Sequence, residues 1–257
     1  MNQRPSPAGK DAALFVTCMV DVLYPQTGMA VVHLLEHLGV RVYFPHAQTC
    51  CGQPGYNGGY RHDAAMVARQ FLDVFQDAEL IVVPSGSCAT MIRHEFPVLF
   101  ADDPARRVLS EYTASITWEF TEYLVDGLGV RDLGLKLPAP RTFAFHDSCH
   151  GLRYLGLSQQ ARDLLGHMEN ATITELVDHD ECCGFGGLFS VKMADISGAM
   201  LEKKVAQINA CPADTIVVGD VSCLTHMNGG LSRQKSAKRV VHIADVLAEG
   251  LPERKRA

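Results

Sequence analysis

The sequence predicts an α/β protein of two pseudo-symmetric halves, each a small, mainly parallel sheet flanked by helices, with cysteines at the carboxyl ends of the strands. Three observations carry this expectation. Short continuous apolar runs alternate with stretches of helical apolar spacing. One cysteine pattern occurs twice, as Cys18, Cys50-Cys51-Gly52 and Cys88 and then as Cys149, Cys182-Cys183-Gly184 and Cys223. Matching cysteines lie 131, 132 and 135 positions apart, and Ile81-Val82-Val83 corresponds to Ile216-Val217-Val218 with the following cysteine in register.

In the first half, residues 13–17 form an apolar strand running into Cys18, and residues 28–38 form a helix stopped by Gly39. Residues 40–44 read as the next strand, ended by Pro45. A Gly-rich turn at 55–59 follows the vicinal cysteines and leads into a helix through about Phe75, with Ala64, Ala65, Val67, Ala68, Phe71 and Leu72 inward. Residues 80–83 are a buried strand before Ser85-Gly86-Ser87-Cys88 and another helix. The second half repeats the order: a strand at 142–145, a strand at 173–177, a helix over 192–209, and a strand at 215–218 before Cys223. Residues 115–126 read as a helix. The expected division is a first domain at 12–126, a linker at 127–140 rich in Gly, Leu and Pro, and a second domain at 141–250. In open parallel sheets the crevice beyond the carboxyl ends of the strands is where ligands bind, so each half presents four thiols to one point.

Of 257 residues, 47% are hydrophobic and 20% charged, the balance of a globular chain able to bury a core. Net charge is −6, which excludes a general attraction to nucleic acid. Arg233, Lys235, Lys238 and Arg239, with Arg254, Lys255 and Arg256, form a basic cluster that reads as solvated surface. The N-terminus lacks the apolar stretch of a signal peptide and no run reaches membrane-spanning length, so a cytoplasmic location without membrane insertion is expected. In that reducing setting nine cysteines point to metal or redox chemistry rather than to a disulfide framework.

Neighbouring cysteines on an extended chain face opposite ways, so a vicinal pair serves one metal object only if the backbone turns beside it. Gly52 and Gly184 permit that turn. A multi-iron cluster suits such a pair because each sulfur takes its own iron; a single tetrahedral zinc is the alternative. Helix N-termini after the cysteines would stabilise thiolates.

These paired segments, at these spacings over nearly the whole chain, resemble the CCG-domain family of iron-sulfur proteins typified by the B subunit of heterodisulfide reductase. Within it, Ser85-Gly86-Ser87-Cys88, His146-Asp147-Ser148-Cys149-His150, Cys182-Cys183-Gly184-Phe185-Gly186-Gly187 and Gly219-Asp220-Val221-Ser222-Cys223-Leu224 most resemble the lactate-utilisation protein A branch. The resemblance implies one or two [4Fe-4S] clusters per chain, held by Cys18, Cys50, Cys51 and Cys88 and by Cys149, Cys182, Cys183 and Cys223. It also implies a subunit of a complex oxidising L-lactate to pyruvate, with partners that include a ferredoxin-like iron-sulfur protein. The heterodisulfide reductase pattern has a fifth cysteine per copy, and here Ser85 and Asp220 stand in that place. Four thiols suit a cubane cluster or leave one iron to Ser85, Asp220 or water. Rival readings are a zinc-binding or metal-free scaffold subunit and a disulfide reductase in its own right.

The remaining candidates are plainer. Cys211, outside the repeat, reads as an inert thiol, and His33, His37 and His179 as packing or surface residues. His146, His150 and His226 flank the cysteines, as structural residues or as donors to cluster sulfurs. Asp147 and Asp220 are candidate helix caps. The Gly-rich segments after the vicinal cysteines lack the strand-turn-helix context of a dinucleotide site and read as room for a cluster.

Overall fold

The computed structural model describes residues 4–252, so Arg254, Lys255 and Arg256 of the basic tail lie outside the described residues. Two four-stranded sheets form. β1 (Ala12–Leu14), β2 (Val42–Tyr43), β3 (Ile81–Val83) and β4 (Thr117–Glu119) make the first, in the order β2-β1-β3-β4. β5 (Lys136–His146), β6 (Glu169–Ile173), β7 (Thr215–Val218) and β8 (Val240–His242) make the second, in the order β6-β5-β7-β8. Each pairing is parallel, and the strand order is the same in both halves. Flanking helices are α1 (Pro25–His37), α2 (Arg61–Phe75), α3 (Pro104–Ile116), α4 (Cys149–Leu155), α5 (Gln159–Gly166), α6 (Ala194–Ala210), α7 (Val221–Arg233) and α8 (Ile243–Glu249).

The register makes the duplication concrete. Ala13 pairs with Ile81 as Ala144 pairs with Ile216, so Leu14 corresponds to Phe145 and Phe15 to His146. Side chains alternate across a strand, which gives each sheet two apolar faces. Leu14 and Val82 of one sheet and Phe143 and Val217 of the other meet in a central core with Leu34 and Leu35 of α1 and Val246 and Leu247 of α8. Ala13, Phe15, Ile81 and Val83 face a lateral core with Phe71 and Phe75 of α2. Ala144, Ile216 and Val218 face another, with Val205 and Ile208 of α6 and Leu224 and Met227 of α7. Full burial of such a side chain contributes roughly 1.5–3 kcal/mol, and the central core draws on both halves at once. Thr27 Oγ1 donates to Asp245 Oδ2 at 2.8 Å, tying α1 to α8 across that seam.

Three segments depart from expectation. The helix expected over 115–126 is interrupted: α3 ends at Ile116, and Thr117, Trp118 and Glu119 form β4 against Ile81, Val82 and Val83. All three are buried, and pairing with the adjacent strand outweighs helical continuity there. The strand expected at 173–177 lies earlier, at Glu169–Ile173, because Arg141, Thr142 and Phe143 pair with Ala171, Thr172 and Ile173 while Val177 is 71% exposed. β5 begins at Lys136, inside the segment read as linker, where Lys136 pairs with Glu169. Among the described residues no helix is long and apolar enough to cross a membrane.

Glu119 closes β4 and caps the following turn, accepting from Thr121 N at 2.7 Å and Glu122 N at 3.1 Å. It lines a small void with Gly86 of its own half and Phe145 and Gly219 of the other. Burial pushes its carboxyl up to about 7. A carboxyl raised above its unfolded value stabilises the fold while protonated, and that contribution is lost as pH rises through the folded value. Between pH 4.5 and 8 the wild-type chain should therefore lose roughly 3 kcal/mol relative to Glu119→Gln in denaturant unfolding at a series of pH values. Parallel pH profiles for the two proteins would remove Glu119 from this role.

Candidate metal centres

Each of the eight repeated cysteines lies beyond the carboxyl end of a strand. Cys18 follows β1 and opens the turn Cys18–Leu23, while Cys88 follows β3 within Gly86–Thr90. Cys149 opens α4 after β5, and Cys223 lies in the first turn of α7 after β7. The vicinal pairs sit on the loops after β2 and β6. Gly52 (φ 82°) and Gly184 (φ 92°) turn the chain in the left-handed region, where a side chain is strained. A Cβ on Gly184 would also lie 2.9 Å from Met200 Cβ and from the Ser197 carbonyl oxygen.

The turns bring the four sulfurs of each half together. Cys18 Sγ lies 3.6 Å from Cys50 Sγ, and Cys51 Sγ lies 3.2 Å from Cys88 Sγ. In the second half Cys149, Cys182, Cys183 and Cys223 line one cavity. Bonds from Cys18 and Cys51, with the Gly52 N–H at 3.3 Å, hold the Cys50 thiol down to about 3. Cys149, Cys183 and the Gly184 N–H at 3.4 Å likewise hold Cys182 down to about 2. Sharing a proton with those thiolates, and then burial, pushes Cys18 and Cys149 upward. Each quartet thus carries a thiolate hydrogen-bonded by its neighbours, and binding of a metal there would release the remaining protons.

A cavity of about 220 Å³ lies against the first quartet and one of about 40 Å³ against the second. They share a wall of Gln53, Ser87, Phe185, Gly187 and Ser222. Gln53 Nε2 donates to the Ser87 carbonyl at 3.0 Å, pinning the vicinal-cysteine loop to the Cys88 loop. Across the seam Asp220, 1% exposed, accepts from Ser85 Oγ at 3.0 Å and Ser87 N at 2.9 Å, and caps its own helix through Ser222 N at 3.0 Å. The residues at the two equivalent positions are therefore bonded to each other.

The donor chemistry fits a thiophilic metal. A single tetrahedral ion with metal–sulfur bonds near 2.3 Å places its sulfurs about 3.8 Å apart, and the first cavity gives a polynuclear group room as well. The halves differ at matching positions. Thr17, before Cys18, is buried at φ 72°, a strain of about 1–3 kcal/mol, whereas its counterpart Ser148 has φ −61°. His146 is fully buried where the first half has Phe15, and one of its ring nitrogens, Cys183 Sγ and Cys223 Sγ lie within 4.8 Å of one another. Burial, then the charge of Lys204, keeps that imidazole neutral, its value lowered to about 3.

Other candidates have ordinary partners. Asp147 is no cap: it accepts from both terminal nitrogens of Arg162 at 2.9 and 3.2 Å and contacts His179 Nδ1 at 2.6 Å. His150 Nδ1 lies 3.6 Å from Cys149 Sγ, its ring stacked on Tyr154, and His226 lies near Ser197 Oγ and Phe185. His37 Nε2 bonds to the Leu133 carbonyl oxygen at 3.0 Å. Cys211 is buried in the second lateral core, where Lys238 Nζ donates to its carbonyl at 3.0 Å. Gln53, Glu119 and the pairing of Ser85 with Asp220 carry no motif; the shared place of Ser85 and Asp220 in the repeat is the one signal for that contact.

Comparison with known proteins agrees with the duplication. The model of the CCG cysteine-rich domain matches residues 12–93 and again 143–228. A protein named Lactate utilization protein A from Exiguobacterium sp. is 46% identical over 95% of this chain and 99% of its own length. The protein of that name from Bacillus subtilis is 45% identical over 91% of this chain and 98% of its length. A crystal structure of a hypothetical protein from Helicobacter pylori superposes with a TM-score of 0.63 at 11% identity, covering 100% of this chain and 52% of that one, a likeness of fold alone. With both domain copies matched and relatives aligned nearly end to end, the chain belongs to the CCG cysteine-rich domain family, in its lactate utilization protein A branch.

Proposed function

We propose that the chain is the iron-sulfur subunit of a cytoplasmic redox complex that oxidises L-lactate to pyruvate, with one or two [4Fe-4S] clusters held by Cys18, Cys50, Cys51 and Cys88 and by Cys149, Cys182, Cys183 and Cys223. The observation that carries the reading is the convergence of two thiol quartets on adjoining cavities with a common wall. The names of the similar proteins, which speak of lactate utilization, support lactate as the substrate. A thiolate-bound iron-sulfur cluster takes up and releases electrons one at a time. The chain's residues hold the sulfurs in place. The Gly52 and Gly184 N–H groups offset thiolate charge, and Asp220 fixes the Ser87-Cys88 turn of the opposite half. Electrons drawn from the hydroxy acid would pass to other subunits of the complex, a ferredoxin-like iron-sulfur protein among them.

Zinc is the second reading, favoured by the short sulfur contacts of 3.2 and 3.6 Å. Anaerobic purification with iron, acid-labile sulfide and zinc counted per chain separates the two. The protein is expected to be brown, with Cys51→Ser and Cys183→Ser each losing roughly half of the iron and sulfide; a colourless chain carrying zinc or no metal after reconstitution overturns the iron assignment.

Asp220→Ala removes a buried acceptor of three hydrogen bonds, one of them from Ser85 and one from the Ser87 backbone. The metal-free chain should lose about 2–4 kcal/mol in denaturant unfolding. Metal retention should fall most at the first quartet, although Asp220 belongs to the second half. Unchanged stability, or a loss confined to the second quartet, would separate the two halves' sites.

A further inference from the structure

His146 ends β5 with its ring on the face of the sheet that packs against α6 and α7. It is 0% exposed, and neither ring nitrogen has a hydrogen-bond partner. A buried imidazole left in that condition forfeits the hydration of a donor and an acceptor with nothing in return. The duplication offers a direct comparison. At the equivalent position the first half places Phe15, packed edge-on to Phe71 at 4.8 Å and Phe75 at 5.8 Å. An apolar ring therefore satisfies the fold at this place, and the histidine answers some other demand.

The surroundings identify it. A ring nitrogen of His146, Cys183 Sγ and Cys223 Sγ lie within 4.8 Å of one another, yet no nitrogen–sulfur hydrogen bond forms. Donors at such separations and not bonded to each other are close enough to share an ion bound at about 2.0–2.3 Å.

We propose that His146 is a ligand of the metal held at the second thiol quartet, giving that site a nitrogen donor absent from the first. This rests on the reading of the second quartet as a metal site. The two centres are then chemically distinct: the first is bound through sulfur, the second through sulfur and one imidazole.

The test uses the full chain, reconstituted anaerobically with iron and sulfide after selective 15N labelling of histidine. Pulsed EPR of the reduced protein should show a nitrogen hyperfine coupling that changes with the isotope. In His146→Phe, which copies the first half, that coupling should vanish and the iron content fall by up to half. Far-UV circular dichroism of metal-free His146→Phe should match that of the metal-free wild type. Metal-loaded wild-type protein without nitrogen coupling, or His146→Phe with full iron and an unchanged spectrum, overturns the ligand assignment while leaving the cluster reading intact. Wild-type protein that takes up no metal overturns both.

Discussion

Parallel pairing of β1 with β3 and of β5 with β7 is the constraint from which the rest follows. Parallel strands end at the same edge of a sheet, so every loop after a strand in one half opens toward one place. Cys18, Cys88 and the vicinal pair at Cys50 and Cys51 come from three separate loops and still meet, because β1, β2 and β3 are neighbours in the sheet. The second half repeats the arrangement with β5, β6 and β7. The central core then sets the two edges side by side, close enough that the cavities share a wall.

Within this shared frame the copies have diverged where they touch the sulfurs. Thr17 is strained and Ser148 is not; Ser85 offers a hydroxyl where Asp220 offers a carboxylate; Phe15 is packed among rings where His146 is unpartnered. None of these differences alters the backbone course of its strand. They change charge, hydrogen bonding and donor type at fixed positions, which is how one scaffold comes to present two unlike environments.

Much of this was legible in the residues. The repeat of Ile81-Val82-Val83 as Ile216-Val217-Val218 located the central strands, since a short apolar run before a cysteine is a local signal. The thiol quartets were legible from spacing alone. β4 and β8 were not, because Thr117-Trp118-Glu119 and Val240-Val241-His242 are three residues each and owe their strand form to partners distant in sequence. β6 was misplaced because the apolar character of Ile173 to Val177 suggested burial, while the actual pairing lies over the more polar Glu169-Asn170-Ala171-Thr172. The contact of Ser85 with Asp220 and the isolation of His146 depend on how the halves and layers pack, and no window of sequence contains both partners.

The central core has a consequence for the origin of the chain. Leu14 and Val82 are covered by groups that include Phe143 and Val217 of the other copy, and α1 lies against α8. A single-copy ancestor would have left that face open to water, an apolar surface too continuous for a soluble monomer. It would have been stable only by associating with a second copy of itself about a two-fold axis. Carrying both copies on one chain leaves the two surfaces and the two thiol pockets free to differ, as Phe15 and His146 do.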